Sequence, residues 1–219
     1  MKHFNHAIAL ALAVVAMAGT LYVKSVYAQE QKQQQATPIN HIERVQQANL
    51  MSGYPDGKFH PEGLVSRAEL ARIVVKTFAV EKRTPKYDKT FKLSDVPKDY
   101  WAYNDIQTVL RNDIMEGYHN DGRFYPNQKV TRSEAYAILA QAYGVFQFTP
   151  ETQSEVLSQY PDAKAIPDWA QKAMATALHE GFVNTDEMSN RVRPLQPMTR
   201  GDMAYALSKY ISRKYEYNP

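Results

Sequence analysis

The chain predicts an all-α fold made of three helix-loop-helix copies that share one core. Three observations carry this expectation. A segment recurs with a period of about 65 residues, apolar residues fall at helical spacing inside each copy, and a Ser/Thr-Arg-x-acid quartet opens the second helix of every copy. The quartets are Ser66 to Glu69, Thr131 to Glu134 and Thr199 to Asp202.

The 219 residues carry a net charge of +3, and 44% of them are hydrophobic, enough apolar material for a packed core. Residues 1–28 read as a signal peptide: Lys2 precedes an apolar stretch from Ala7 to Val23, and Val26 and Ala28 have the spacing of a cleavage site. Cleavage after Ala28 is the expectation, and it leaves no membrane span. The alternative is an uncleaved anchor, with Lys24 as its stop. Removing Lys2 and Lys24 leaves a nearly neutral chain, which gives no footing for nucleic acid. With no cysteine, thiolate metal sites, cysteine nucleophiles and a disulfide framework are excluded. Residues 29–38 are a Gln-rich spacer that tethers and does not fold.

The copies are expected over 39–92, 93–156 and 157–219. Their conserved spacing shows in Gly53, Gly117 and Gly181, each 64 residues from the next. These glycines are expected to close the first helix of each copy in a left-handed conformation. "YPDG", Tyr54 to Gly57, is expected to form a tight turn. Asp99 and Asp168 stand before the second and third copies as candidate N-caps. Ile106, Val109 and Leu110, and Ala135, Ile138, Leu139 and Ala142, mark stripes that must be buried. A two-helix unit buries only one face alone, so the copies must share a core.

Arg67, Arg132 and Arg200 pose a question. A cation in the first turn faces the positive end of the helix dipole, a cost of roughly 0.3–1 kcal/mol. One reading makes each arginine a receptor for an anion, beside backbone N–H groups that also attract negative charge. The other pairs it with a local carboxylate, Asp56, Asp121 or the acid of the quartet, and so locks loop to helix.

"GYPDGKFHPEGLVSRAELA" and "GYHNDGRFYPNQKVTRSEAYAIL" resemble the S-layer homology domain, with its Trp-Ala helix start, Gly-Tyr-x-Asp-Gly-x-Phe-x-Pro loop and Thr-Arg-Ala-Glu helix start. The resemblance covers most of the chain beyond the spacer. It implies a pseudo-threefold arrangement that holds exported bacterial proteins on the cell wall. The implied partner is a wall glycan, either a secondary wall polymer with acidic or pyruvylated sugars or a modified peptidoglycan, bound in grooves between copies. Arg67, Arg132 and Arg200 would then meet its acidic group, with Trp101, Trp169, Gly53 and Gly117 lining the grooves. The first copy departs from the pattern by placing Asn40 or His41 where the Trp belongs. The third departs by replacing the loop with "GFVNTDEMSNRVRP".

The two tryptophans are expected in the core with one edge exposed. No cofactor, metal site or enzyme activity is expected: six histidines lack metal-ligand spacing, and no catalytic signature is present. The chain ends eight residues after Ile211, so it reads as a free-standing wall protein, secreted to the cell surface. Two alternatives from other classes are an adaptor for a partner envelope protein and a wall-active hydrolase working through paired carboxylates.

Overall fold

The computed structural model of the chain describes residues 40–118, 121–144 and 148–217. The expected leader and spacer, 1–38, lie outside them, as do the side chains of Tyr215 and Tyr217. Among the described residues there are seven α-helices and no β-strand, in agreement with the all-α expectation. The helices are α1 His41–Gln47, α2 Arg67–Phe78, α3 Tyr103–Arg111, α4 Arg132–Tyr143, α5 Pro150–Ser158, α6 Gln171–His179 and α7 Arg200–Tyr217. None of them is long and apolar enough to cross a membrane.

The packing partners cross from copy to copy. The second helix of each copy lies against the first helix of the next: α2 on α3, α4 on α6, and α7 back on α1. This follows from the shortage of apolar surface in a two-helix unit, which must borrow a neighbour to cover its stripe. Ile106, Val109, Leu110, Ala135, Leu139 and Ala142 are buried as their spacing requires, while Ile138 is only partly covered. Leu70, Met174, Met203 and Leu207 complete the same core.

At the centre, the extended residues before the three long helices bond to one another in a closed ring. Val65 N–H donates to the Met198 carbonyl at 2.9 Å, Met198 N–H to Val130 at 2.8 Å, and Val130 N–H to Val65 at 3.1 Å. All three side chains are buried, so water cannot compete for these groups. Each helix then starts as its quartet predicts. Ser66 accepts from the Glu69 backbone while Glu69 reaches back to Ser66, and Thr131 and Glu134 do the same. In the third copy Thr199 accepts from Asp202 N–H at 3.0 Å.

Two expectations need correction. Asp99 and Asp168 cap neither α3 nor α6, whose N-cap positions are Ala102 and Ala170 with no side-chain bond. The useful acids of these lead-ins are Asp95, which accepts from Phe124 and Tyr125 N–H, and Asp162, which accepts from Val192 and Arg193 N–H. Each ties a lead-in to the loop of its own copy. Of the spaced glycines, only Gly181 is left-handed, at φ 71°. In the first two copies Asn49 and Asp113 take that conformation. Gly53 and Gly117 are needed for another reason: a Cβ there would meet the carbonyl oxygens of Lys58 at 3.0 Å and Arg123 at 3.2 Å, across the loop. The Tyr54 to Gly57 turn forms as expected, closed by Gly57 N–H on the Tyr54 carbonyl at 2.9 Å.

Leu70 is fully buried where α2 meets its neighbours. Leu70→Ala is expected to cost about 2–5 kcal/mol, read as a lower urea midpoint at an unchanged slope.

Candidate functional site

The three first-turn arginines are buried, at 9% exposure for Arg67, 1% for Arg132 and 6% for Arg200, and each reaches into the loop of another copy. Arg67 donates through Nε to the Phe124 carbonyl at 2.8 Å and through Nη2 to the Glu116 carbonyl at 2.6 Å. Arg132 donates likewise to the carbonyls of Val192 at 2.8 Å and Asn184 at 2.6 Å. Arg200 completes the cycle on Phe59 at 3.0 Å and Ser52 at 2.5 Å. First copy holds second, second holds third, third holds first.

The loops are shaped to receive these guanidinium groups. The residue after each Nε acceptor is a non-glycine with positive φ: His60 at 52°, Tyr125 at 55° and Arg193 at 50°. Such a conformation costs roughly 1–2 kcal/mol for an L-residue. It reappears at the same place in all three loops, where the chain turns a carbonyl toward an arginine. Beyond it, Pro61, Pro126 and Pro194 accept from the second amide of the neighbouring helix, and Gly63, Gln128 and Gln196 accept from the first.

The helix N-termini are therefore closed, which corrects the expectation of N–H groups open to an anion. Neighbouring carbonyls take the first two amides of each long helix, and the Ser or Thr side chain takes the third. The local-carboxylate reading also changes in detail. Asp56 engages His60, and Asp121 engages Tyr125. The acids that do meet arginines belong to another copy's quartet: Asp202 lies 2.8 Å from Arg132, and Glu69 lies 3.6 Å from Arg200. Arg67 makes no ion pair among the described residues, and burial pulls its pKa below the ordinary arginine value.

A groove of about 260 Å³ gathers three of the predicted site residues, Gly53, Trp101 and Arg200, around the face of α2. Tyr54, Glu69, Arg72, Ile73 and Lys76 line it as well. Tyr54 donates its hydroxyl proton to Glu69 Oε1 at 3.2 Å, and its ring sits 4.6 Å from the Arg200 guanidinium carbon. Burial and the nearby Glu69 push the Tyr54 phenol up. Arg72 covers one side of the Trp101 ring at 4.3 Å, donates to the Trp101 carbonyl at 2.6 Å and pairs with Asp105 at 2.9 Å. Lys76 is exposed and has no ion-pair partner among the described residues.

The tryptophans correct the expectation of core placement. Trp101 is 47% exposed and Trp169 64%, because the following alanines, Ala102 and Ala170, occupy the core positions. Arg67 and Gly117 meet at the second loop, where Arg67 holds the Glu116 carbonyl. Arg132 is enclosed, with Asn184, Val192 and Asp202 around its guanidinium. In the first copy the aligned Trp position falls before α1, outside the described residues, while His41, at the start of α1, lies edge-on to Tyr205 at 4.8 Å with Nδ1 3.0 Å from the Ser208 hydroxyl. Sequence reading missed Arg72 and Lys76. Their signal was two cations four residues apart, on one helical face.

Fold and groove define a class, the repeat-built helical binding module. The S-layer homology domain model matches residues 35–71, 92–135 and 159–204, more than half of the chain, and the protein belongs to that family. It is 31% identical over 172 residues to a surface-layer 125 kDa protein of Lysinibacillus sphaericus, covering 78% of this chain and 14% of that protein. It is 27% identical over 168 residues to a cellulosome-anchoring protein of Acetivibrio thermocellus, covering 76% and 36%. An amylopullulanase of Thermoanaerobacterium thermosulfurigenes is 30% identical over 164 residues, 74% of this chain and 8% of the enzyme. The chain thus spans a minor part of each of these relatives. Family membership makes it a secreted protein of the cell wall or cell surface, with an anchoring role there.

Arg132→Ala would strand Asp202 and three loop acceptors, so it is expected to cost about 3–5 kcal/mol of folding stability, measured by thermal melting. Arg132→Lys should not restore it, since an ammonium lacks the planar fork. Burial opposes the Asp202 carboxylate, but hydrogen bonds from Asn184 and Thr199 and the Arg132 charge outweigh it and hold the pKa below the ordinary Asp value. A depressed carboxylate stabilises the fold above its unfolded pKa, about 4, and that contribution fades as pH falls through the folded value. Urea midpoints should therefore drop below about pH 4, and Asp202→Asn should flatten that drop.

Proposed function

We propose that the protein attaches non-covalently to an acidic polysaccharide of the cell wall, through the groove on α2. The observation that carries this reading is the pairing, in one opening, of an exposed Trp101 with an uncommitted Lys76. A sugar ring needs an apolar face and hydrogen-bonding partners at its edges, and an aromatic side chain with polar neighbours offers both. Its acidic substituent needs a cation that is not already engaged.

Lys76 fits that second need better than the three arginines, whose donors hold carbonyls of the fold. The arginines then act by shaping the grooves, and Gly53 acts by letting the loop close beneath Tyr54. Trp169 and Gly117, with Arg67, mark the corresponding place in the second copy, where no cation matches Arg72 and Lys76 because Ala137 and Gln141 stand there. The weight of the anionic contact falls on the first copy.

Lys76→Ala and Trp101→Ala should each weaken co-sedimentation with purified walls about tenfold at unchanged helicity, in line with a charge-assisted contact of roughly 1.5–3 kcal/mol. Walls stripped of acidic substituents should abolish the difference between wild type and Lys76→Ala. Equal binding by all three proteins on intact walls would refute the assignment.

A further inference from the structure

We infer that the loop of the first copy carries a pH-sensitive latch, in which the His60 ring joins Asp56 to Glu62 and so tightens the α2 groove in acidic surroundings. This rests on the reading of that groove as the wall-binding site, and it names the regulation of the site.

The latch is visible as geometry. His60 Nε2 lies 2.5 Å from an Asp56 carboxylate oxygen, and Nδ1 lies 3.2 Å from one of Glu62. Ionised carboxylates only accept hydrogen bonds, so a ring that satisfies both must hold a proton on each nitrogen and is a cation. A neutral imidazole has one N–H and leaves one acid facing a lone pair. Deprotonation therefore opens half of the bridge.

What the bridge holds is a wall of the groove. Asp56 sits inside the turn from Tyr54 to Gly57, and the Tyr54 ring stands edge-on to His60 at 5.5 Å. Tyr54 lines the groove. The carbonyl just before His60, that of Phe59, takes Arg200 Nε at 3.0 Å, and Arg200 lines the groove as well. The other charged groups packed on this loop are Arg200 from α7 and Glu69 from α2, which accepts from the Tyr54 hydroxyl. Arginines and carboxylates at ordinary pKa values keep their charge between about pH 6 and pH 8, which leaves the imidazole to respond.

The other two copies supply the contrast. At the same positive-φ place the second loop has Tyr125, which donates to Asp121, and the third has Arg193, whose charge acts on Asp186. Neither a phenol nor a guanidinium switches charge near neutrality. Two residues further on stand Asn127 and Leu195, so at that position only the first loop has an acid. The titratable version thus occurs in the loop beside Lys76. Hydrogen bonds with Asp56 and then Glu62 raise the His60 pKa above the ordinary histidine value. A raised folded pKa stabilises the latched loop fully below the unfolded value, about 6.5, and that contribution is lost as pH rises through the folded one.

The test compares binding of the full chain to purified walls at about pH 6 and about pH 8, either side of the imidazole transition. Wild type should bind about twofold to fivefold more weakly at the higher pH, the scale of one exposed ion pair. His60→Asn, which keeps a residue tolerant of positive φ, should bind equally at both. In the free chain, amide chemical shifts of Tyr54, Gly57 and Lys58 should titrate with the His60 ring and stay flat in His60→Asn. Flat shifts in the wild type would overturn the latch whatever the groove binds. Titrating shifts with pH-independent wall binding, or the wild-type pH response persisting in His60→Asn, would overturn its control of the groove. Equal wall binding by Lys76→Ala and wild type would instead remove the groove reading, and the regulation with it, while leaving the titrating shifts in place.

Discussion

Everything in this molecule depends on three buried arginines that each fasten one copy to the next. Arg67, Arg132 and Arg200 sit at the starts of α2, α4 and α7, and their guanidinium groups hold carbonyls in loops of the second, third and first copies. A ring of backbone bonds through Val65, Met198 and Val130 lies inside this circuit. No copy contains both halves of any of these contacts. A single copy would expose a cation with nothing to hold and a loop twisted into a strained shape for no partner. The cycle is what makes three weak units one fold.

The energetics explain why the arrangement tolerates two local penalties. A cation in a helix's first turn costs roughly 0.3–1 kcal/mol, and a non-glycine residue at positive φ roughly 1–2 kcal/mol. A hydrogen bond from a charged donor contributes about 1.5–3 kcal/mol, and each arginine makes at least two. Aromatic faces add to this, with the guanidinium carbons of Arg67 and Arg200 4.5 and 4.6 Å from the Phe124 and Phe59 rings. The first-turn cation is disfavoured within its own helix and favoured once the neighbouring loop is in place. That difference makes assembly of the copies cooperative.

The fold was readable from the sequence where the signal was local and periodic. Helical spacing marked the buried stripes, and the Ser66 and Thr131 quartets marked two capping boxes, because both depend on residues within one or two turns. The site was harder, because its chemistry is set between copies. Nothing near Arg132 in the chain reveals that its partners are Asn184, Val192 and Asp202, some fifty to seventy residues away. The tryptophans misled for a related reason. An aromatic beside an alanine suggests that the larger side chain is buried, yet Ala102 and Ala170 face the core. Lys76 was overlooked because a lone surface lysine is ordinary until a groove is seen beside it.

The division between buried and exposed cations bears on how binding and folding are linked. The α2 groove takes Arg200 from the third copy, Tyr54, Glu69 and Lys76 from the first, and Trp101 from the second. It exists only when the cycle is closed. A ligand that occupies it binds the closed state and not an opened one, and so stabilises the whole ring by mass action rather than through any contact with the arginines themselves. Conversely, a substitution at Arg67 or Arg132, neither of which lines this groove, can lower apparent affinity by reducing the closed fraction. Loss of wall attachment on mutating these arginines would therefore be no proof that they touch the glycan. The two roles separate only in a variant such as Lys76→Ala, which leaves the cycle intact and removes a charge that the fold does not use.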